Sequence, residues 1–86
     1  MPMLNPPPPG EIILDIIQAK GWTVAECAEK LGTTSHNLLL IMSGQAGITP
    51  ITALAMERQG WSDADHWMRM QASYDLAQAR LREKAV

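Results

Sequence analysis

"SHNLLLIMSGQAGIT", residues 35–49, is the stretch that decides the fold. A short polar start leads into an apolar run, a glycine-containing turn follows, and Ile48 and Thr49 open a new segment. Thr49 before Pro50 is typical of a helix start, because a threonine oxygen accepts from a first-turn amide and proline needs no amide partner there. The stretch therefore predicts a helix at Ser35–Met42, a turn at residues 43–47, and a further helix from Pro50.

The residues before this stretch predict a second helix close to the first one. Thr23 and Glu26 have the spacing of a capping box, in which each side chain accepts from the other residue's backbone amide. They open a helix at Val24–Leu31, and Thr33 or Thr34 would cap the next one. Two helices joined by so short a glycine-containing turn are typical of a helix-turn-helix, whose second helix enters the major groove of DNA.

A proline-rich segment precedes the first predicted helix. Residues 1–9 read MPMLNPPPP, and such a run favours extended polyproline II over a helix interior. We interpret it as an N-terminal tail that fixes where the first helix, Glu11–Lys20, begins; a strap that docks a partner is the alternative. Residues 10–86 are predicted to form one all-α domain of five helices.

The last two predicted helices are Pro50–Gln59 and a long C-terminal helix that Ser62 would cap. The expected core residues of the fourth helix are Ile51, Leu54 and Ala55. Along the fifth helix, apolar residues repeat at intervals of three and four: Trp67, Met70, Tyr74, Ala77 and Leu81. Because so long a helix outruns the core of a small domain, we expect its far half to pack against a second copy.

Composition limits the class of partner and the compartment. The 86 residues carry seven Lys and Arg and nine Asp and Glu, for a net charge of −2. Nucleic-acid binders are usually basic, so this balance favours a dimer that points its few cations one way over a monomer. One cysteine, no secretory signal and no membrane-length apolar run predict a cytoplasmic protein.

Catalytic and metal-binding patterns are not found in the sequence. It has no nucleophile–base pair, glycine-rich phosphate loop or paired carboxylates at catalytic spacing. Cys27, His36 and His66 lack the spacing of a zinc site. We therefore expect no enzyme, no cofactor and no metal, with Cys27 as an inert buried thiol.

Four stretches of the chain match motifs of a known family. PPGEIILDI is similar to the motif HPGEIL, SGQAGIT to NGRRGIT, ITPITALAM to ITADTALRLA, and DHWMRMQASYDLAQAR to FWLNLQAAYDLARAR. On these motifs, which span roughly residues 8–80, the chain resembles the HigA-type antitoxins. They are a branch of the Cro/C1 (XRE) helix-turn-helix regulators, so the resemblance implies a lambda-repressor-like fold.

The resemblance also implies partners and a function. Members of this family are cytoplasmic dimers that neutralise a small RelE-like ribonuclease toxin and repress their own operon by binding operator DNA. For this chain it implies a homodimer, a cognate ribonuclease toxin and a double-stranded, palindromic operator as partners, and no enzymatic activity. A stand-alone transcriptional regulator without a toxin is the alternative.

The resemblance places the DNA contacts on the third helix and its flanking turns. The base-facing positions are Ser35, His36, Asn37, Leu39 and Leu40, and the backbone-facing positions are Thr34, Ser43 and Gln45. Asn37 could make a bidentate contact to adenine, and His36 could donate to guanine or phosphate. Thr34 or Ser35 could hold a phosphate at the helix N-terminus.

One departure from the family pattern keeps other interpretations of this helix open. No Asp, Glu, Lys or Arg occurs from Leu31 to Met56, and Gln45 and Ala46 stand where the family has two arginines. Each missing phosphate contact lowers DNA affinity. Five consecutive apolar residues at 38–42 also leave at least one leucine exposed, which is typical of a protein-contact patch. Weak DNA binding, protein contact and deeper burial of the helix are the three alternatives.

Overall fold

The computed structural model describes residues 7–84, and over that range it consists of five α-helices without a strand. They are α1 (Gly10–Lys20), α2 (Val24–Leu31), α3 (Ser35–Met42), α4 (Pro50–Arg58) and α5 (Ala64–Lys84). The predicted all-α, five-helix architecture is confirmed. Of the proline-rich tail predicted at residues 1–9, residues 1–6 lie outside the described residues.

Threonine caps fix the start of α2 and of α3. The Thr23 hydroxyl accepts from the Glu26 amide at 3.1 Å, and the Glu26 carboxylate accepts from the Thr23 amide at 2.8 Å. The capping box is therefore present. Thr34, and not Thr33, caps α3, because its hydroxyl oxygen accepts from the Asn37 amide at 3.0 Å. The bounds of both helices agree with the prediction.

The start of α5 differs from the prediction. Ser62 is not the N-cap, since the Asp63 carboxylate accepts from the His66 amide at 2.7 Å. Ser62 instead adopts a left-handed backbone, with φ of 90°, and turns the chain into the helix. The prediction placed the cap one residue too early because serine and aspartate are equally good caps and stand side by side.

The buried face of α4 also differs from the prediction. Ile51 is 78% exposed and Leu54 46% exposed, so both were wrongly assigned to the core, whereas Ala55 is buried as predicted. The residues that α4 buries are Thr52, Ala53, Ala55 and Met56. Three of these side chains are small, which lets the backbone of α4 approach α5 and α2, the helices it contacts.

The hydrophobic core lies where the five helices converge. Its largest fully buried side chains are Ile13, Leu38, Ile41, Met56 and Trp67. The Trp67 indole N–H donates to the Trp61 carbonyl at 2.8 Å, so this buried ring has no unsatisfied polar group. Within the described residues, no helix is long and apolar enough to cross a membrane.

The apolar stripe of α5 is buried mainly at its start. Trp67 is 2% exposed, whereas Met70, Tyr74, Ala77 and Leu81 are each only partly buried. The helix therefore extends beyond the core, as its length predicted. Whether its far half meets a second copy stays a prediction.

Candidate nucleic-acid interface

One side of α3 faces solvent while the other packs into the core. Leu38 and Ile41 are the buried residues of this helix, which contacts α1 and α2. The opposite side, at helical spacing, carries His36, Leu39, Leu40 and Ser43. Leu39 is 50% exposed, so α3 is not buried all round and an apolar side chain lies at the surface as predicted.

The eight residues predicted to contact DNA lie on this helix and its flanking turns, and none is fully buried. Exposed are Thr34, His36, Leu39, Ser43 and Gln45; partly buried are Ser35, Asn37 and Leu40. Because α3 has eight residues, about 12 Å of helix, this set is short enough to lie within a major groove.

Besides Thr34, which caps α3, two of these polar side chains already have hydrogen-bond partners. The Asn37 side-chain amide donates to the Thr33 hydroxyl at 2.8 Å, and the Ser43 hydroxyl donates to the Leu40 carbonyl at 3.1 Å. The first bond fixes the plane of the Asn37 amide and leaves its oxygen and second N–H for a ligand. Thr33 is thus a positioning residue that the sequence indicated only by its spacing of four from Asn37.

The turn after α3 is held by α5. The Ile48 amide donates to the Gln71 side-chain oxygen at 2.8 Å, and the Gln71 side-chain nitrogen donates to the Asp75 carboxylate at 2.9 Å. Gly47 lies so close that a Cβ there would be 3.2 Å from the same nitrogen. Gln71 is 6% exposed and was not predicted, although a polar residue four positions after Trp67 falls on the buried face and requires partners.

Every lysine and arginine of the described residues belongs to a helix other than α3. Lys20 and Lys30 place their ammonium groups 5.9 and 4.7 Å from the ring centre of Trp22. Trp22 in turn contacts Trp61, with ring centres 5.9 Å apart. The remaining cations are one at the end of α4 and four on α5: Arg58, Arg69, Arg80, Arg82 and Lys84. The exposed side of α3 is therefore neutral, and any cation that reaches DNA beside it comes from another helix.

A second concave surface lies between residues 7–9, α1 and α5. It is a groove of about 550 Å³. Glu11 and Asp15 line it from α1, and His66 and Arg69 line it from α5. Because acidic residues line one wall and basic residues the other, the groove favours neither an anion nor a cation as a ligand.

The remaining candidate ligands do not come together. Among residues 7–84, no three His, Cys, Asp or Glu side chains are grouped as a metal site. Cys27 is completely buried, and burial raises the pKa of its thiol, which keeps it protonated and unreactive.

Comparison with known proteins identifies relatives along almost the whole chain. No protein-family model matches it. It is 35% identical to virulence-associated protein A′ of Dichelobacter nodosus over 88% of this chain and 67% of the relative. It is 27% identical to the uncharacterized HTH-type transcriptional regulator YddM of Escherichia coli K12 over 92% of this chain and 84% of the relative.

A solved structure extends the likeness to the fold. The crystal structure assigned as an antidote protein of a plasmid maintenance system, from Nostoc punctiforme PCC 73102, superposes with a TM-score of 0.88 at 28% identity. The match covers 95% of this chain and 90% of that one. Five helices in the order described here are therefore shared with that protein.

Proposed function

The chain belongs to the family of virulence-associated protein A′ of Dichelobacter nodosus, and from this premise we propose that it is an antitoxin. It neutralises a ribonuclease toxin of the RelE type, and as a homodimer it binds a palindromic operator to repress its own operon. Both partners are cytoplasmic, and so is the protein. The antitoxin role is supported by the likeness to the plasmid-maintenance antidote of Nostoc punctiforme, and the regulatory role by the likeness to YddM.

The proposal that the chain binds operator DNA rests on one observation, the exposed side of α3. His36 and Leu39 point to solvent, with Leu40 partly buried beside them, from a helix whose opposite side is held by the core. A rigid helix with one free side is what a major groove admits. In this proposal Asn37 reads adenine and His36 donates to guanine or phosphate, because both carry donors that reach a base edge.

The remaining contacts follow from their places around that helix. Ser35 and Leu40 complete the base-facing set, and Leu39 can touch a thymine methyl. Thr34, Ser43 and Gln45 lie at the two ends of α3, where side chains meet the sugar–phosphate backbone. These contacts fix the position of the protein on the DNA but carry little charge. We therefore expect a modest affinity for DNA that depends only weakly on salt concentration.

Fluorescence anisotropy with labelled DNA from upstream of the gene tests the proposed binding to an operator. We expect binding that is tighter than to scrambled DNA and that weakens between about 50 and 300 mM salt. The pair His36→Ala and Asn37→Ala should abolish the preference, whereas Gln18→Ala, an exposed change on α1, should not. Equal affinity for both DNAs at the lowest salt would overturn operator reading.

Co-expression with the neighbouring gene tests the proposal that this chain neutralises a toxin. We expect that gene to encode a small basic protein of about a hundred residues, complementary to this acidic chain. Its expression should stop growth, and this chain should restore growth and co-purify with it. If the neighbour is absent, or the chain gives no rescue, the stand-alone regulator becomes the better interpretation.

A second candidate function, protein binding through α3, is favoured by one observation. Leu39 is half exposed within a stretch that has no charged residue. Apolar surface next to an uncharged turn fits a protein partner such as the toxin. Leu39→Ala should then weaken the toxin complex, while Leu76→Ala, which truncates an equally exposed leucine on α5, should not.

A further inference from the structure

A cleft joins the turn after α3 to the C-terminal half of α5. It has a volume of about 240 Å³, and its lining residues are Gly44, Tyr74, Asp75, Gln78 and Arg82. The four α5 residues recur at intervals that place them on one side of the helix. Contact is close, since a Cβ at Gly44 would lie 3.1 Å from the Tyr74 hydroxyl oxygen.

We propose that this cleft binds a phosphate of the DNA backbone and that Arg82 supplies the positive charge that α3 lacks. This inference rests on the proposed function, because it concerns the same DNA. It adds a contact from a helix outside the helix-turn-helix.

The need for such a contact follows from the charge distribution. Between Leu31 and Met56, the stretch that contains α3 and its turns, the chain has no Asp, Glu, Lys or Arg. Phosphate neutralisation supplies much of the affinity of a DNA-binding protein. A cation must therefore reach the DNA from elsewhere, and it must lie next to the reading helix to be useful.

Arg82 meets this condition. It lines the same cleft as Gly44, and Gly44 lies between Ser43 and Gln45, the two turn residues proposed to contact the backbone. Its side chain is exposed, and a guanidinium can donate two parallel hydrogen bonds to a phosphate. Gly44, which has no side chain and a φ of 83°, lets the turn approach Tyr74 of α5 closely.

The one acidic residue of the cleft does not cancel this charge. Asp75 precedes Arg82 by seven residues, which is about 10 Å along the helix axis. The Asp75 carboxylate already accepts a hydrogen bond from the side-chain nitrogen of Gln71 at 2.9 Å, which uses part of its capacity to pair with Arg82.

Arg80 provides a matched control. Two residues correspond to about 200° of helix rotation, so Arg80 points to the opposite side of α5 from Arg82. Both are arginines, both are exposed, and both belong to the last two turns of the helix. A general effect of net charge would act on both, whereas a contact in the cleft acts on Arg82 alone.

The test compares Arg82→Gln, Arg82→Lys and Arg80→Gln in the full chain. Circular dichroism first confirms equal helical content, and anisotropy then gives affinity for promoter and scrambled DNA as a function of salt. We expect Arg82→Gln to weaken binding to both DNAs by roughly tenfold, as expected for one charge-assisted hydrogen bond. The slope of log affinity against log salt should fall by about 0.9 per protomer. Arg82→Lys should keep most of the slope, and Arg80→Gln should leave it unchanged.

The outcomes separate this inference from the proposed function. An unchanged slope in Arg82→Gln, or an equal loss in Arg80→Gln, overturns the phosphate cleft while operator binding by the unaltered chain stands. Equal affinity of the unaltered chain for both DNAs overturns operator reading, yet the slopes still decide whether Arg82 contacts phosphate. If the unaltered chain binds no DNA at the lowest salt, both fail.

Discussion

At the scale of single residues, Gln71 links the turn after α3 to α5. Replacing it with methionine, which has a similar volume, removes the acceptor of the buried Ile48 amide. We expect Gln71→Met to lower the free energy of unfolding by about 2 kcal/mol, because a buried donor without a partner costs about 1–3 kcal/mol. Chemical denaturation followed by circular dichroism measures this loss.

The same substitution at an exposed glutamine is the control for Gln71. Gln18 lies on the outer side of α1, and Gln18→Met should change stability by less than about 0.5 kcal/mol. Equal effects at the two positions would show that the Ile48 amide finds another partner, and that Gln71 does not hold the turn.

Gly10 is a second residue whose role depends on a close approach. A Cβ at this position would overlap the backbone carbonyl of Ile41, so α1 meets the end of α3 only where a side chain is missing. We expect Gly10→Ala to lower the free energy of unfolding by about 3 kcal/mol, the upper range for overpacking. Thermal and denaturant unfolding both report it.

Gly60→Ala separates overpacking from backbone strain. Gly60 has a φ of 83°, and a Cβ there would meet nothing within 4 Å, so alanine adds only the cost of a left-handed backbone, about 1 kcal/mol. If Gly10→Ala lowers the free energy of unfolding no more than Gly60→Ala does, α1 and α3 can move apart freely. The contact at Gly10 then does not fix the orientation of α3.

At the scale of elements, the capping box of α2 makes stability depend on pH. Hydrogen bonds from the Thr23 backbone and side chain hold the pKa of Glu26 below its ordinary value. A carboxylate whose pKa is lowered by folding stabilises the folded state above its unfolded pKa, and this stabilisation is lost as pH falls through the folded pKa. The loss therefore lies at and below the ordinary glutamate range, near 4.5.

Glu26→Gln tests this linkage, because an amide oxygen can still accept from Thr23 but carries no charge. We expect the difference in melting temperature between the unaltered chain and Glu26→Gln to shrink as pH falls from about 6 to 3. A constant difference for Glu26→Gln would contradict the linkage.

The capped elements are also those that the sequence predicted best. The bounds of α2 and α3 follow from Thr23, Glu26 and the glycine turn, since a cap and its amide are only three residues apart. The exposed leucine of α3 followed as well, because five successive apolar residues cannot share one side of a helix. Local patterns of this kind need no knowledge of the rest of the fold.

Features that depend on contacts between distant residues could not be predicted. Ile51 and Leu54 have the spacing of a core face, but close packing of α4 favours the side with Ala53 and Ala55, which only the neighbouring helices decide. The hydrogen bond between Ile48 and Gln71 spans 23 residues. The cleft between Gly44 and Arg82 likewise depends on where α5 crosses the turn.

At the scale of the whole molecule, two exposed apolar surfaces could join the copies of a homodimer. One is the outer side of α5 around Leu76, which is 51% exposed; the other is the side of α4 with Ile51 and Leu54. Charged residues surround Leu76 along its helix, with Asp75 before it and Arg80 one turn later, and they favour solvent. Ile51 has no charged residue within one turn of it on α4, so its burial against a second copy desolvates no neighbouring charge of that helix.

The geometry of a palindromic operator also fits a contact through α4, in place of the far half of α5 that the sequence predicted. The two reading helices of a dimer must face half-sites about one turn of DNA apart, roughly 34 Å. Because α4 follows α3 after a turn of only seven residues, 43–49, a contact through α4 keeps the two copies of α3 close to the dimer axis.

Ile51→Glu should therefore convert the dimer to a monomer. Light scattering after size exclusion should give twice the chain mass of 9.5 kDa for the unaltered protein and for Leu76→Glu, and the single mass for Ile51→Glu. Helical content should not change, because Ile51 is 78% exposed in the isolated chain. DNA binding by Ile51→Glu should weaken at least tenfold, since each half-site must then be bound separately. Dissociation by Leu76→Glu alone would place the dimer contact on α5 instead of α4.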